Sequence, residues 1–257
     1  MRDLIAFSTR LPVRGGDVVR AAEQNFLYPV LAVLISVLVA AVSFPSFLLR
    51  PEIASLLTLL FLYATTGLMH LDGLADFFDG LLAGGSVERK VRAMKDESVG
   101  AAGVFAVFVV LLAEFVAFSS LGASISNATN RTAAFFSFFA ALLVAEASAK
   151  LGMTTCIFAG RFVKKAAPPA VAPGLGALFV AKLTPQKYAG SVTVSAAIAT
   201  SLLPLCGGKA FLILLGVPVA ILVARAAAKN FGGVSGDVMG ATNEIARACT
   251  LMAWLFA

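Results

Sequence analysis

Seven apolar runs constrain this chain more than any other feature: residues 27–49, 52–70, 101–121, 132–149, 189–206, 209–224 and 238–257. Each is long enough, or nearly so, for a helix to cross a hydrocarbon core about 30 Å thick. Backbone polar groups must be paired internally in lipid, so the runs predict an all-α fold. The expected architecture is a polytopic integral membrane helical bundle of about seven transmembrane helices, with residues 1–257 forming one membrane-embedded unit. Composition agrees: 60% of residues are hydrophobic and 13% charged, against about half and a quarter in a soluble domain. The weak points are 209–224, which is short and contains Pro218, and 170–181, which would dip in without crossing.

Charge predicts an orientation. With the N-terminus cytoplasmic, the inner segments are 1–26, 71–100, 150–188 and 225–237, and they carry sixteen of the twenty Lys and Arg residues. The outer turns carry Arg50, Arg131 and Lys209, a strong positive-inside asymmetry. The protein is therefore expected in the cell membrane, multi-pass, with its functional face towards the cytoplasm. Residues 1–26 hold Arg2, Arg10, Arg14 and Arg20 and read as a cytoplasmic or interfacial segment. No cleavable signal is expected, because the first apolar run is too long and lacks a small-residue cleavage site. A net charge of +6 is too small and too dispersed for a nucleic-acid partner; it suits loops facing an anionic leaflet. Cys156, Cys206 and Cys249 show no metal or redox spacing, and a single histidine, His70, excludes a multi-histidine metal site. The composition leaves self-association into a homo-oligomer open.

The chemistry concentrates where the second run ends, in HLDGLADFFDG at 70–80. On a helix Asp72, Asp76 and Asp79 stand at i, i+4 and i+7 and form a line roughly 10 Å long on one face. Acids near a helix C-terminus oppose its dipole, and aligned like charges repel. A row of this kind suits Mg²⁺, a hard cation that takes oxygen ligands and is usually shared with substrate phosphates. The alternative is a charged helix end in a loop.

Two further constellations accompany the row. In 88–103, ERKVRAMKDESVGAAG, a charged helical stretch leads into the third run. Asp96 and Ser98 precede Gly100, where the N–H groups of a new helix could hold a phosphate; alternatively Asp96 or Ser98 caps that helix. In 231–244 Asp237, Gly240, Ala241 and Glu244 share one helical face, with an acid at each end and small residues between. Small residues allow close helix approach, and carboxylates there are expensive unless paired or metal-bound. Glu244 could pair with Arg247. The dense Pro and Gly of 168–176 predict a loop or re-entrant piece within 150–188, whose basic residues could also meet a nucleotide diphosphate.

The segments HLDGLADFFDG (70–80) and GGVSGDVMGA (232–241) resemble the two signature segments of the cobalamin synthase family, the adenosylcobinamide-GDP ribazoletransferases. FSTRLP at 7–12, residues 88–103 and PGLG at 173–176 are similar in order and spacing, so the resemblance spans the chain. It departs at Ser98, where the family often has a basic residue. The resemblance implies a membrane enzyme dependent on Mg²⁺. A ribose hydroxyl of α-ribazole, or of its 5′-phosphate, attacks the cobinamide-side phosphorus of the corrinoid nucleotide diphosphate, and GMP leaves. It further implies Asp72, Asp76, Asp79 and Asp237 as metal ligands, with Asp76, Asp237 and His70 as catalytic groups. Arg10, Asp96, Ser98, Gly100, Gly232, Gly233 and Gly236 are then the substrate-binding candidates.

Two rivals remain at this level. CDP-alcohol phosphotransferases and aromatic prenyltransferases also place spaced aspartates at a helix end. The former want Ala-Arg where this chain has Ala75-Asp76, and the latter want a second Asp-rich motif where it has only Asp237. A metal-ion or solute transporter would place acids mid-membrane on broken helices. Glu114 and Glu146, inside the third and fourth runs, are its supporting features; in an enzyme they would be structural, paired or protonated.

Overall fold

The computed structural model describes residues 1–162 and 174–257, all helical apart from turns and links. Helices α1 (Arg2–Ser8) and α2 (Val18–Glu23) form a short N-terminal layer. Asp17 caps α2 by accepting the Arg20 N–H at 3.1 Å. Helix α3 (Tyr28–Ser43) begins with Pro29 in its first turn, where no N–H is needed, and a 3₁₀ turn extends it to Leu48. Helix α4 (Pro51–Thr66) stops at Gly67, whose φ of +74° lies in the left-handed region that favours glycine. The chain turns by 94° there and continues as α5 (Met69–Leu82).

Helix α6 (Val87–Met94) is short and charged, α7 (Ala101–Ser126) and α8 (Arg131–Ala159) are long and apolar, and α9 (Leu175–Lys182) is short. Helix α10 (Pro185–Cys206) ends at Gly207, φ +57°; a 3₁₀ stretch then leads to α11 (Gly216–Phe231). Gly232, φ +72°, ends α11 as a left-handed cap, and Ser235 caps α12 (Gly236–Phe256).

Four stretches are long and apolar enough to cross a membrane: Asn25–Leu48, Ala101–Ser126, Arg131–Ala159 and Pro185–Phe231. The bent pair α4–α5 makes a fifth if taken as one span. Against seven expected runs, two differences stand out. The runs at 189–206 and 209–224 join into one 47-residue helical stretch interrupted at Gly207. The last run forms α12, whose Asn243, Glu244 and Arg247 dilute its apolar character. Those polar residues are tolerated because α12 is central: every residue from Val238 to Glu244 is buried.

Helix α8 is the other central element, buried without interruption from Ala140 to Ile157. It meets α12 where the Thr250 hydroxyl donates to that of Ser148 at 2.8 Å. It meets α11 so closely that a Cβ on Gly152 would stand 3.0 Å from the Gly216 carbonyl oxygen. Such contacts between small residues let the helix backbones approach closely. Residues 150–188 are thus not one loop: α8 continues through 150–159, and Lys150 is buried within it. Lys164, Lys165, Pro168, Pro169 and Pro173 lie outside the described residues.

Candidate functional site

Helix α5 has two faces. His70, Gly73, Leu74, Phe77 and Gly80 are buried, while Asp72 is exposed and Asp76 and Asp79 are partly exposed. The buried face packs on α12 with no space for side chains at two points. A Cβ on Gly73 would lie 2.9 Å from the Asp237 Cα, and one on Gly240 would lie 3.0 Å from the His70 Cα. The helices therefore run antiparallel in backbone contact, and Asp237 is delivered beside the aspartate row from 158 residues further along the chain. At the far end of α5, a Cβ on Gly80 would collide with Met94 and Phe231, so α6 and α11 close on it. The charged α6 and the start of α7 lie at this level; α5 is a rim element, turned out of the line of α4.

Each acid has distinct surroundings. Asp79 receives the N–H of Gly100 at 2.7 Å and of Gly103 at 2.8 Å, one on each carboxylate oxygen. It therefore fills the N-terminus of α7, which sequence reading had offered to a phosphate or to a cap from Asp96 or Ser98. Asp96 instead accepts the Ser98 N–H at 2.9 Å in a local turn, and both residues are exposed. Asp237 accepts from the Lys95 ammonium at 2.7 Å and from the Ser235 hydroxyl at 3.1 Å. Lys95 was not among the sequence candidates, since a lysine in an inner loop is explained by topology alone.

Asp76 stands among these groups. Burial, then the negative charges of Asp237 and Asp72, push its pKa up to about 6, with Lys95 opposing. The row is thus short of positive charge. Among the described residues no three His, Cys, Asp or Glu side chains form a ready cage for a metal. Mg²⁺ does not require one, since it keeps several waters and takes one or two carboxylates plus phosphate oxygens. An open, under-neutralised carboxylate row fits that manner of binding.

The other candidates divide. Arg10 lies before α5 and not on the acids: its N–H donates to the Thr65 carbonyl at 2.8 Å, and its side chain covers Gly67, 3.0 Å from where a Cβ would stand. It sits at the elbow that launches α5. Gly232, Gly233 and Gly236 form the link into α12, and a Cβ on Gly233 or Gly236 would meet nothing within 4 Å. Gly232 itself is buried, and Gly176 of α9 lies against the Ser235–Gly236 backbone, where its Cβ would stand 2.8 Å from the Gly236 nitrogen, so the open part of the link is at Gly233. His70 is not brought to the acids' open face. It is 7% exposed, about 200° around the helix from Asp72.

A second charged group lies deeper, in the middle of the bundle. Arg247 is fully buried; its Nε donates to Glu114 at 2.7 Å, its Nη1 to Glu146 at 3.3 Å and its Nη2 to Tyr63 at 2.7 Å and to Glu244. Lys150, also buried, donates to Asn243 at 2.7 Å and stands 3.8 Å from Glu146. The expected pairing of Glu244 with Arg247 is present, and Glu114 and Glu146 are paired too.

The sequence pattern of the cobalamin-5-phosphate synthase family matches residues 1–255. An adenosylcobinamide-GDP ribazoletransferase of Pyrococcus abyssi is 34% identical over 252 residues, covering 98% of this chain and 96% of the relative. Proteins of the same name from Thermococcus onnurineus (33%, covering 100% and 97%) and Methanocella arvoryzae (35%, covering 98% and 93%) are similar along their whole lengths. No solved structure matches.

Proposed function

The chain belongs to the cobalamin-5-phosphate synthase family, and on that premise we propose that it is an adenosylcobinamide-GDP ribazoletransferase acting at the rim of α5 and α12. A ribose hydroxyl of α-ribazole, or of its 5′-phosphate, attacks the cobinamide-side phosphorus. The bond to the bridging oxygen breaks, GMP leaves, and cobalamin or its 5′-phosphate forms. The observation that carries this reading is the backbone contact at Gly73 and Gly240, which unites Asp237 with the Asp72–Asp79 row.

The chain's own residues divide the work. Asp72, Asp76 and Asp237 present the carboxylates that would hold Mg²⁺; Asp79 would add its remaining lone pairs while it ties the row to α7. Bound there, Mg²⁺ supplies charge neutralisation for the departing phosphate. Asp76 or Asp237 takes the hydroxyl proton; His70, on the buried face, is set aside as the base. Arg10 at the elbow and the glycine link of Gly232, Gly233 and Gly236 into α12, with Gly233 its open point, receive the diphosphate. Lys95 is placed to follow the leaving phosphate.

The same reading puts the chain in the cell membrane with seven crossings and the rim in the cytoplasm. Supporting it, α4 and α7 pair antiparallel, Ser55 with Ser119 and Pro51 with Gly122. The link Gly207–Leu215 lies beside Trp254 at the far end of α12, whereas Phe231 lies beside Gly80 at the rim. Lys150 is then a buried residue and not part of the inner positive charge.

The deciding experiment gives purified protein adenosylcobinamide-GDP and α-ribazole, with Mg²⁺ or EDTA, and follows GMP. Release that needs both Mg²⁺ and α-ribazole is the expected result. Release without α-ribazole would make the protein a hydrolase, and no release from folded protein would overturn the assignment.

A further inference from the structure

The five charged side chains of the buried cluster are unequal in number: Arg247 and Lys150 against Glu114, Glu146 and Glu244. All are at most 1% exposed, and the elements around them add Tyr63 from α4, Asn243 from α12 and the buried imidazole of His70 from α5. A net negative charge in the middle of such a bundle is very costly to bury. One proton removes it.

The hydrogen-bond contacts around each carboxylate narrow the place for that proton. Glu244 is fully served: Asn243 donates to Oε1 at 3.0 Å, and Arg247 Nη2 and the Tyr63 hydroxyl, at 2.8 Å, donate to Oε2. Glu146 receives Arg247 Nη1 on Oε1. Its Oε2 has no hydrogen-bond donor among the described residues, but the Lys150 ammonium stands 3.8 Å away as its counter-ion. Glu114 receives Arg247 Nε on Oε1, while its Oε2 faces the Tyr63 oxygen at 3.2 Å. Tyr63 has a single hydroxyl hydrogen, and its shorter contact is to Glu244. The phenol oxygen also accepts from Arg247 Nη2 at 2.7 Å, so for both of its carboxylate contacts to be hydrogen bonds a second hydrogen is needed, and Glu114 is the partner left to carry it.

We propose that the bundle interior contains a proton-binding site, and that Glu114 is a carboxylic acid at neutral pH donating through Oε2 to Tyr63. Arg247 then pairs with Glu244, Lys150 with Glu146, and the cluster is neutral with His70 uncharged. This assignment is independent of the reaction at the rim.

The test is infrared spectroscopy of the full-length protein in liposomes at neutral pH, with hydrogen–deuterium exchange and thermal unfolding alongside. Wild type should show a carboxylic-acid carbonyl band that shifts on deuteration. Glu114→Gln, which has the shape of the protonated acid, should lose the band yet keep its Tm within about 2 °C. Glu244→Gln removes one negative charge by another route, so Glu114 should ionise and the band should vanish there too. Absence of the band in wild type, its survival in Glu114→Gln, or failure of that variant to fold would overturn the assignment. Survival of the band in Glu244→Gln would overturn the neutral charge count.

Discussion

Four carboxylates gather where α5 and α12 meet at the rim, and a fifth, Glu244, lies about 10 Å deeper along the same face of α12. The two groups solve opposite problems. At the rim, Lys95 alone stands against Asp237, Asp76 is pushed up to about 6, and Asp72 is exposed. In the interior every carboxylate faces a guanidinium, an ammonium or a phenol within a closed cluster. Surplus negative charge at an open edge is a means of capturing a cation, whereas paired charge in a closed cluster joins helices. The interior group ties α4, α7 and α8 to α12 and so keeps Asp237 turned towards α5. That is why mid-bundle glutamates, which sequence offered to a transporter, belong here to the scaffold.

The largest effect should follow Asp76→Ala. Turnover should fall by about 10³-fold or more, some 4 kcal/mol of transition-state stabilisation, while Tm holds or rises because a repelled charge has gone. Wild-type GMP release from this variant would sink the functional side of the comparison. Arg247→Met should do the reverse and act on stability first. Carboxylates stripped of a buried partner cost about 3–5 kcal/mol, which thermal unfolding in detergent would register. If both variants lost stability equally, the division between rim and interior would fail.

Gly73→Ala and Gly240→Ala test the joint between the two regions. Each Cβ would press on backbone at 2.9–3.0 Å, for about 1–3 kcal/mol of strain. Turnover should drop in both, with the interior ion pairs left in place. The smallest effect is in pH. A carboxyl with its pKa raised from 3.8 to about 6 is protonated below pH 6 and then cannot hold a cation. Turnover should decline as pH falls through about 6, and added Mg²⁺ should move that midpoint lower by competing with the proton. The folded state also holds this proton more tightly than the unfolded chain does. Asp76 therefore detracts from stability above pH 6, and the deficit closes as pH falls towards 3.8. Comparing Tm with that of Asp76→Asn isolates the effect; a parallel pH dependence in both would remove Asp76 as its source.

Helical spacing alone places Asp72, Asp76 and Asp79 on one face, and the structure keeps them there. The same wheel sets His70 opposite them, a placement that type of residue and proximity in sequence conceal. The cap on α7 was not legible, because Asp79 reaches Gly100 and Gly103 across a loop and no local pattern announces it. Lys150 was misread as loop because it ends an apolar run; Glu146 one turn earlier and Asn243 on α12 make it a buried residue instead. Helix α12 reads as a plain apolar run at 238–257, and its place at the centre, which tolerates Asn243, Glu244 and Arg247, emerges only from packing.

The glycine contacts between α5 and α12 have one further consequence. With backbone against backbone at Gly73 and again at Gly240, the seam beneath the acids leaves no room for a side chain at either point. Among the described residues, a molecule resting on the carboxylates would find main chain under it there. The two glycines thus act as a floor as well as a joint.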